Sequence, residues 1–173
     1  IFILNWNGGD LLIECLESVL KIKYDNFEII VIDNASSDNS ISSIHNQFPN
    51  IKVIALDHNY GYSKAYNKAF ELIGYSEDSF FILLNNDTVV DKNIVNHFLE
   101  AQKSLNSKEC ILGPKIYYMN HRKLIWYSGG KINLPSGVIR HIGIRQIDNS
   151  ENLSLQATDY ITGCCIFTHN TNS

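Results

Sequence analysis

The sequence lacks an excess of basic charge and any long apolar run. It has 14 Lys and Arg residues against 18 Asp and Glu residues in 173 positions, a formal net charge of -4. Proteins that bind nucleic acid neutralise phosphates with clustered Lys and Arg, so the composition argues against a nucleic-acid partner. A membrane-spanning helix needs roughly 18 consecutive apolar residues, and no run in this sequence approaches that length.

Several motifs of well-known sites are also missing. Neither Gly-x-Gly-x-x-Gly nor the Gly-Lys-Ser/Thr sequence of phosphate-binding loops occurs, which disfavours a dinucleotide or P-loop site. None of the six histidines has a metal-ligand spacing. His58 alone lies near a predicted strand end, and we expect a surface or structural role for it.

The four cysteines form no Cys-x-x-Cys pair and have no histidine at a zinc-ligand spacing. We interpret them as reduced, buried thiols of a cytoplasmic protein. The alternative is a redox site at the adjacent Cys164 and Cys165. Neighbouring residues on a strand point to opposite faces, so strand geometry favours core packing.

Apolar, β-branched runs alternate with segments of helical periodicity over the first hundred residues. We predict strands at residues 1–5, 27–33, 51–56 and 80–84, and a fourth helix with Asp91 as its N-cap. Between the strands, apolar residues recur at three- and four-residue spacings, typical of helices that pack one face on a sheet. This alternation predicts an α/β fold with an open, mostly parallel sheet and flanking helices.

The sequence changes character after Gly113 and Pro114. Short β-like segments, at 115–119, 124–127, 137–142 and 160–167, are separated by Gly, Pro and Asn. We therefore predict one domain whose C-terminal part is irregular and β-rich. The first residues already have the composition of a strand interior and the last are polar, so we expect the 173 residues to be part of a longer chain.

Polar clusters follow the four predicted strands of the first part, at residues 5–9, 33–36, 57–61 and 85–87. In an open parallel sheet, ligands bind beyond the carboxyl ends of the strands, near the point where the strand order reverses. We therefore expect these four clusters to meet along one crevice.

Two aspartates stand out among these clusters. Asp87 and Asn85 follow the most apolar strand, and Mg²⁺ or Mn²⁺ is often held by one or two protein carboxylates together with phosphate oxygens. The alternative at this position is an Asn-rich turn that caps the strand. Asp33 is a candidate acceptor for a nucleobase imide or a ribose hydroxyl, and the alternative is a turn in which Asp38 caps the next helix.

The clusters resemble the motifs of inverting family 2 glycosyltransferases, which have the GT-A fold, a Rossmann-like nucleotide-binding sheet. The likeness is strongest to rhamnosyltransferase-like members that act on bacterial polysaccharides. Matching segments lie at residues 5–8, 31–40, 59–67 and 83–87, and residues 161–167 look like the family's acceptor-side strand. The resemblance implies a nucleotide-sugar-binding part at residues 1–113 and the start of an acceptor-side part at residues 114–173.

The resemblance also implies roles for individual residues. Asp87 looks like the last residue of the family's metal-binding Asp-x-Asp motif, with Asn85 in place of the first aspartate, and Mg²⁺ or Mn²⁺ is the implied cofactor. Asp33 looks like the aspartate that binds base and ribose. The residues implied to bind the nucleotide-sugar are Asn5, Asn7, Asp33, Asn34, Asn59, Gly61, Asn67 and Asn86.

The implied reaction transfers a sugar from a UDP- or dTDP-activated donor to a saccharide or lipid-linked saccharide acceptor, with inversion. The family's general base resembles an aspartate in a Glu-Asp motif downstream of the strand after Gly163, and this sequence ends before such a motif. Asp159 precedes that strand and is not taken as the base. We expect the base beyond residue 173, and expect these residues alone to bind donor but transfer sugar poorly.

The full-length protein is expected in the cytoplasm, with peripheral association at the inner face of the membrane as an option. Two other functions stay open. One is a non-catalytic nucleotide-sugar-binding domain that keeps the fold. The other is a sugar nucleotidyltransferase, which needs a Gly-rich basic loop after its first strand, whereas residues 5–10 contain no Lys or Arg.

Overall fold

Strands and helices alternate through the first part of the chain in the computed structural model, which describes residues 1–74, 78–107, 109–149 and 154–170. The alternation follows the apolar runs and helical periods of the sequence. The elements are β1 (Phe2–Asn5), α1 (Gly9–Val19), β2 (Ile30–Asp33), α2 (Ser40–Gln47), β3 (Lys52–Ala55), α3 (Tyr62–Leu72), β4 (Phe80–Asn85) and α4 (Ile94–Ser104).

The main sheet has the strand order β3-β2-β1-β4, extended by β10 (Cys165–His169) and the short β5 (Ile111–Leu112). The first four strands are parallel, whereas β10 pairs antiparallel with both β4 and β5. The α/β fold with an open, mostly parallel sheet is therefore as predicted. The chain leaves β1 towards β2 on one side and reaches β4 on the other, so the strand order reverses beside β1, where a crevice is expected.

Apolar side chains are buried on both faces of this sheet. Ile3, Val31 and Leu84 face a cluster built with α1 and α4, and their neighbours Phe2 and Ile32 face a second cluster built with α3. Successive residues of a strand point to opposite faces, so continuous apolar runs such as Ile30 to Ile32 are expected only where helices cover both sides. The core thus holds the strand ends at fixed positions.

The C-terminal part contains β6 (Ile116–Tyr118), β7 (His121–Tyr127), β8 (Gly130–Asn133) and β9 (Val138–His141). β6 pairs with β7, and β8 pairs with β9. Backbone hydrogen bonds continue the second pairing along β7, from Ser128 N to Ile142 O, Ile125 N to Gln146 O and Asp148 N to Lys123 O. Residues 121–148 therefore form one long two-stranded hairpin, here called the ribbon.

Some expected boundaries are wrong. The predicted strand at 27–33 begins only at Ile30, and the one at 160–167 is displaced to Cys165–His169 because residues 163–164 form a turn. Asp91 is not the N-cap of α4, which is Asn93; Asp91 instead accepts a hydrogen bond from the Asn93 amide at 2.7 Å.

All four cysteines are free thiols. Cys15 and Cys165 are buried as predicted, and burial raises their pKa to about 11 and about 12. Cys110 and Cys164 are only partly buried, so the expectation of buried thiols is wrong for these two. Among the described residues, none of the helices has the length and apolar character needed to cross a bilayer.

Candidate functional site

Asn5 connects the ends of three strands. In the sheet register it lies beside Asp33 of β2, and Leu4 lies beside Asn85 of β4. The Asn5 side chain is fully buried. It donates to Asp33 Oδ1 and Ser36 Oγ at 3.0 Å each, and it accepts from Asn86 Nδ2 at 2.7 Å. A buried amide needs such partners, so Asn5 fixes the loops after β2 and β4 relative to β1.

Gly8 makes this arrangement possible. A Cβ atom at position 8 would collide with Asn86 Nδ2 and Asn5 Oδ1, and it would lie 3.2 Å from the Leu12 Cβ. The backbone of the first loop therefore passes directly over the Asn5–Asn86 hydrogen bond. The position requires glycine because of this close approach. The φ angle of Gly8 is negative, so a left-handed backbone conformation is not the reason.

Asp33 is 4% exposed and anchors its own loop. Its Oδ1 accepts from Asn5 and from Ser36 Oγ, and its Oδ2 accepts from the Ser36 backbone amide at 3.1 Å. Each carboxylate oxygen can accept two hydrogen bonds, so Oδ2 keeps acceptor capacity. The ligand contact expected of Asp33 stays a prediction.

A second set of hydrogen bonds joins the loops after β2 and β3. The buried Asn34 donates to Asn59 Oδ1 at 2.8 Å and to Gly61 O at 3.3 Å, and it accepts from the Tyr60 amide at 2.8 Å. Gly61 has φ 73°, a conformation that favours glycine. Asn34 thereby holds the loop that leads into α3.

Asn7 and Asp38 link the loop after β1 to the start of α2. Asn7 has φ 52°, and its Oδ1 accepts from the Ser37 and Asp38 amides at 2.8 and 3.3 Å. Asp38 accepts from Gly9 N and from the amide and hydroxyl of Ser40. Desolvation raises the pKa of Asp38 but is outweighed by the Ser40 and Gly9 hydrogen bonds, which hold that pKa below its usual value.

A cleft of about 300 Å³ opens beside these networks. Its walls come from the ends of β1, β2 and β4 and from the loop into α3. It is lined by Leu4, Trp6, Asn34, Asn59, Gly61, Tyr62, Asn85 and Asn86. The structure thus brings five of the predicted site residues to one cleft, and the buried Asn5 and Asp33 hold the surrounding loops through hydrogen bonds. Asn7 is exposed and does not line the cleft.

Asn67 and Asp87 are exposed and do not line the cleft. Asn67 lies on α3, and Asp87 lies in the turn directly after Asn86. Within the described ranges, no group of three or more His, Cys, Asp or Glu side chains is arranged to hold a metal ion. Asp87 and Asn85 supply hard oxygen donors, which fit a cation whose other ligands are phosphate oxygens.

Tyr62 was not singled out from the sequence. It begins α3, and its hydroxyl donates to Gly163 O at 2.6 Å, while Asn85 N donates to the neighbouring Cys164 O at 3.0 Å. Two walls of the cleft are therefore tied to the turn before β10. An aromatic residue next to the helix-starting Gly61 was the available signal, but only the fold reveals its partner 101 positions away.

His58 is exposed and packs against Tyr60 with ring centroids 3.7 Å apart and the rings tilted by 38°, which agrees with the surface role expected for it. Tyr60 also donates to Asp57 Oδ1 at 2.9 Å, and Lys64 lies over the Tyr60 ring at 4.8 Å. These contacts stabilise the loop after β3 from its outer side.

Two bacterial proteins share 29% sequence identity with parts of this chain. The poly-beta-1,6-N-acetyl-D-glucosamine synthase of Staphylococcus aureus matches over 153 residues, 77% of this chain and 36% of that protein. Glycosyltransferase GlyG of Streptococcus pneumoniae matches over 93 residues, 52% of this chain and 30% of that protein. The chain therefore spans about a third of the length of these curated relatives.

Solved structures share the fold. TarS from S. aureus, residues 1–349, superposes with a TM-score of 0.58 at 22% identity, covering 69% of this chain and 35% of TarS. TarS structures also exist in complex with UDP-GlcNAc and with UDP. The mannosyltransferase PcManGT from Pyrobaculum calidifontis, in complex with GDP-Man and Mn²⁺, has a TM-score of 0.53 at 17% identity and covers 68% of this chain and 34% of its own.

The sequence profile described as Glycosyl transferase family 2 matches residues 1–170, nearly the whole chain. The mostly parallel sheet and the cleft beside β1 agree with that match. The chain therefore belongs to glycosyl transferase family 2.

Proposed function

We propose that this chain is the donor-binding part of a glycosyltransferase that transfers a sugar from a UDP- or dTDP-sugar to a saccharide acceptor, with inversion. The observation that carries this proposal is the cleft at the carboxyl ends of β1, β2 and β4, whose walls present amides from three loops. Amide side chains both donate and accept hydrogen bonds, as recognition of ribose and sugar hydroxyls requires. Membership of the family supports the transferase chemistry.

The finer assignment is a rhamnosyltransferase-like enzyme of bacterial cell-surface polysaccharide synthesis. Support comes from the segments at 31–40 and 83–87, which resemble that branch. The relative named as a poly-N-acetylglucosamine synthase supports a polysaccharide product, and the UDP complexes of TarS support a uridine-type donor. We propose that the full-length protein is cytoplasmic, with peripheral association at the inner face of the membrane as the alternative.

Mg²⁺ or Mn²⁺ is part of the proposal. Asp87 and Asn85 would hold it, and a single carboxylate suffices when diphosphate oxygens supply the other ligands. When bound, such a cation offsets the negative charge that develops on the leaving diphosphate. Mn²⁺ accompanies GDP-Man in the structure of the mannosyltransferase PcManGT.

The chain's own residues orient the donor. Asn34 fixes the loop that carries Asn59 and Gly61, and these three are proposed to bind the nucleoside. Asp33 Oδ2 retains acceptor capacity towards a base imide or ribose hydroxyl. Because Asn5 locks Asp33 and Asn86 to one another through its amide, the base and diphosphate ends of the cleft keep a fixed separation.

The general base is proposed to come from another part of the full-length protein. The residues that line the cleft, within the described ranges, include no carboxylate and no imidazole. A base must reach hydrogen-bond distance of the acceptor hydroxyl, and Asp33 is buried and hydrogen-bonded within its own loop. The 173 residues alone are therefore expected to bind donor and to transfer sugar poorly.

Thermal unfolding with a panel of UDP-, dTDP- and GDP-sugars, with and without Mn²⁺, tests the proposal. A ligand at a hundred times its dissociation constant adds about 2.7 kcal/mol to the free energy of unfolding. We expect a uridine or thymidine donor to stabilise the protein most, and Mn²⁺ to increase that stabilisation. Asp87→Ala should remove the Mn²⁺-dependent part.

Asp25→Ala is the matched control, because Asp25 is exposed and lies in the connection between α1 and β2, at the opposite end of the strands. It should keep the full response. If no nucleotide-sugar stabilises the protein, or if Asp87→Ala responds to Mn²⁺ like the wild type, the proposed donor site is wrong.

A non-catalytic nucleotide-sugar-binding domain is the second candidate. The cleft lining without carboxylate or imidazole favours it. Donor hydrolysis by the full-length protein that disappears in Asp87→Ala would support the enzyme, whereas donor binding without hydrolysis or transfer would support the binding domain. The sugar nucleotidyltransferase has no further support, because residues 5–10 lack the basic side chains it requires.

A further inference from the structure

Basic residues are concentrated in the C-terminal part of the chain. Residues 1–113 contain 8 Lys and no Arg against 15 Asp and Glu, whereas residues 114–173 contain 6 Lys and Arg against 3 Asp and Glu. The overall negative charge therefore hides two parts of opposite sign. All three arginines of the sequence lie in the ribbon, residues 121–148.

The basic side chains of the ribbon are exposed, and its one acidic side chain is neutralised. The exposed cations are Arg122, Lys123, Lys131, Arg140 and Arg145. The acidic residue, Asp148, accepts hydrogen bonds from Lys115 Nζ at 2.8 Å and from the Tyr117 hydroxyl at 2.5 Å. The ribbon thus presents a net positive surface.

Two of these cations face each other. Lys131 lies directly opposite Arg140 in the β8–β9 pairing, and like charges in such a pair destabilise the sheet. Asp159, 3.3 Å from Lys131, offsets one of them. Neighbouring residues of a strand point to opposite faces, so this pair faces away from Ile139 and its partner Ile132. One bilayer can therefore contact both faces only at the tip of the hairpin, the turn at residues 134–137.

The ribbon also exposes apolar side chains. Among the described residues, 15 large apolar side chains are exposed, and five of them fall between positions 134 and 147. Leu134 at the hairpin tip is 84% exposed and Ile139 is 62% exposed. Exposure of apolar side chains to water is unfavourable. Exposed apolar side chains flanked by cations are typical of segments that insert into the lipid headgroup region.

A groove of about 340 Å³ at the other end of the ribbon has the same mixed character. His121, Arg122 and Lys123 line it together with the apolar side chains of Leu124 and Ile147. The groove lies at the end of the ribbon remote from Leu134 and is not part of the surface proposed below.

We propose that the tip of the ribbon is a membrane-docking surface that binds an anionic phospholipid bilayer, with Leu134 and Ile139 inserted and Lys131 and Arg140 on the headgroups. The ribbon is joined to the cleft near its tip: Gly130 bridges Tyr160, and the segment after Tyr160 forms the turn that Tyr62 contacts. Docking through the ribbon would therefore hold the cleft at a fixed height above the bilayer.

Co-sedimentation with vesicles tests the electrostatic part. The 173-residue protein should bind vesicles of phosphatidylglycerol and phosphatidylcholine, fail to bind phosphatidylcholine alone, and dissociate as salt is raised. Arg140→Gln should lower the partition coefficient roughly fivefold. Lys21→Gln combined with Lys52→Gln, two exposed cations of the first part, should leave it unchanged.

The apolar part has its own variants. Leu134→Ser with Ile139→Ser should lower the partition coefficient roughly tenfold or more. Leu72→Ser with Leu105→Ser, at positions outside the ribbon that are 67% and 46% exposed, should not. Unfolding temperatures should stay near wild type, because all four positions are exposed. Leu134→Trp should keep binding, and its emission should shift to shorter wavelength with anionic vesicles.

Three outcomes would overturn the proposal: no binding of the wild type to anionic vesicles, equal loss in the control variants, or unchanged binding in the Leu134 and Ile139 variant. In the last case, competition by soluble inorganic polyphosphate would identify the ribbon as a surface for a phosphate-bearing polymer. The assay contains no nucleotide-sugar, so its result is independent of the proposed donor site.

Discussion

Residues 1–113 bury most of the apolar side chains of their strands, whereas the ribbon exposes many of its apolar side chains. β1, β2 and β4 bury both of their faces, with Ile3, Val31 and Ile32 fully inaccessible. Within the described residues of the ribbon, only Ile125 and Tyr127 are buried apolar side chains, and Leu134 and Ile139 face solvent. The first part therefore gains stability from its own packing, whereas the ribbon leaves apolar surface available for contact.

This difference separates two kinds of constraint. The cleft depends on a rigid support, because Asn5 and Asn34 hold several loops through buried hydrogen bonds. In the ribbon, Tyr127 is buried and donates to Tyr160 O, whereas Leu134 and Ile139 near the tip are exposed and available for recognition. Substitutions should therefore cost stability in the first part and affinity for a partner in the second.

The largest expected effect comes from the main sheet. Phe167 of β10 is 1% exposed and stacks on Phe98 and Phe80 at centroid distances of 4.8 and 5.3 Å. Phe167→Ala should lower the free energy of unfolding by about 3–5 kcal/mol, measured by urea denaturation. Ile139→Ala, in the exposed ribbon, should change it by less than about 0.5 kcal/mol. Similar losses of unfolding free energy in both variants would contradict the proposed difference between the main sheet and the ribbon.

A smaller effect is expected at Gly8. In Gly8→Ala the new methyl group collides with the Asn5 and Asn86 side chains, and overpacking of this kind costs about 1–3 kcal/mol. The donor-induced rise in unfolding temperature should also fall, because Asn86 lines the cleft. Gly74→Ala is the control, since open space surrounds that position. If Gly8→Ala leaves both the stability and the donor response unchanged, the close contact of the first loop with Asn5 and Asn86 is not required.

The smallest effect is expected where the two parts meet. Tyr62→Phe removes the hydrogen bond to Gly163 O and should lower the free energy of unfolding by about 0.5–1.5 kcal/mol. In the proposed full-length transferase the KM for acceptor should rise, because the turn before β10 loses its contact with α3. Tyr60→Phe, whose hydroxyl contacts the exposed Asp57, should leave both parameters near wild type.

Much of the fold was predictable because apolar runs end abruptly in polar residues. Ile30 to Ile32 followed by Asp33, and Phe80 to Leu84 followed by Asn85, mark both a buried strand and its carboxyl end. The α/β class and the cleft beside β1 follow from that pattern. β5 could not be predicted, since two residues carry no periodicity.

The pairing within the site was beyond sequence reasoning. Asn5 and Asn86 are 81 positions apart, and no local pattern selects one amide partner among the many Asn residues of this chain. The ribbon was missed for a similar reason. Its ladder passes through Ser128 and Ile142, where backbone hydrogen bonds continue outside the regular strands.

The insertion of β10 between β4 and β5 has a consequence for folding. One edge of β4 (Phe80–Asn85) pairs with β1, and the other pairs with β10, which lies more than 80 residues later in the chain. Until that segment arrives, a newly made polypeptide displays an unpaired apolar strand edge, the feature that promotes intermolecular β-pairing. Chains interrupted before position 165 should therefore aggregate, and closure of the sheet should be a late, slow event governed by long loop formation.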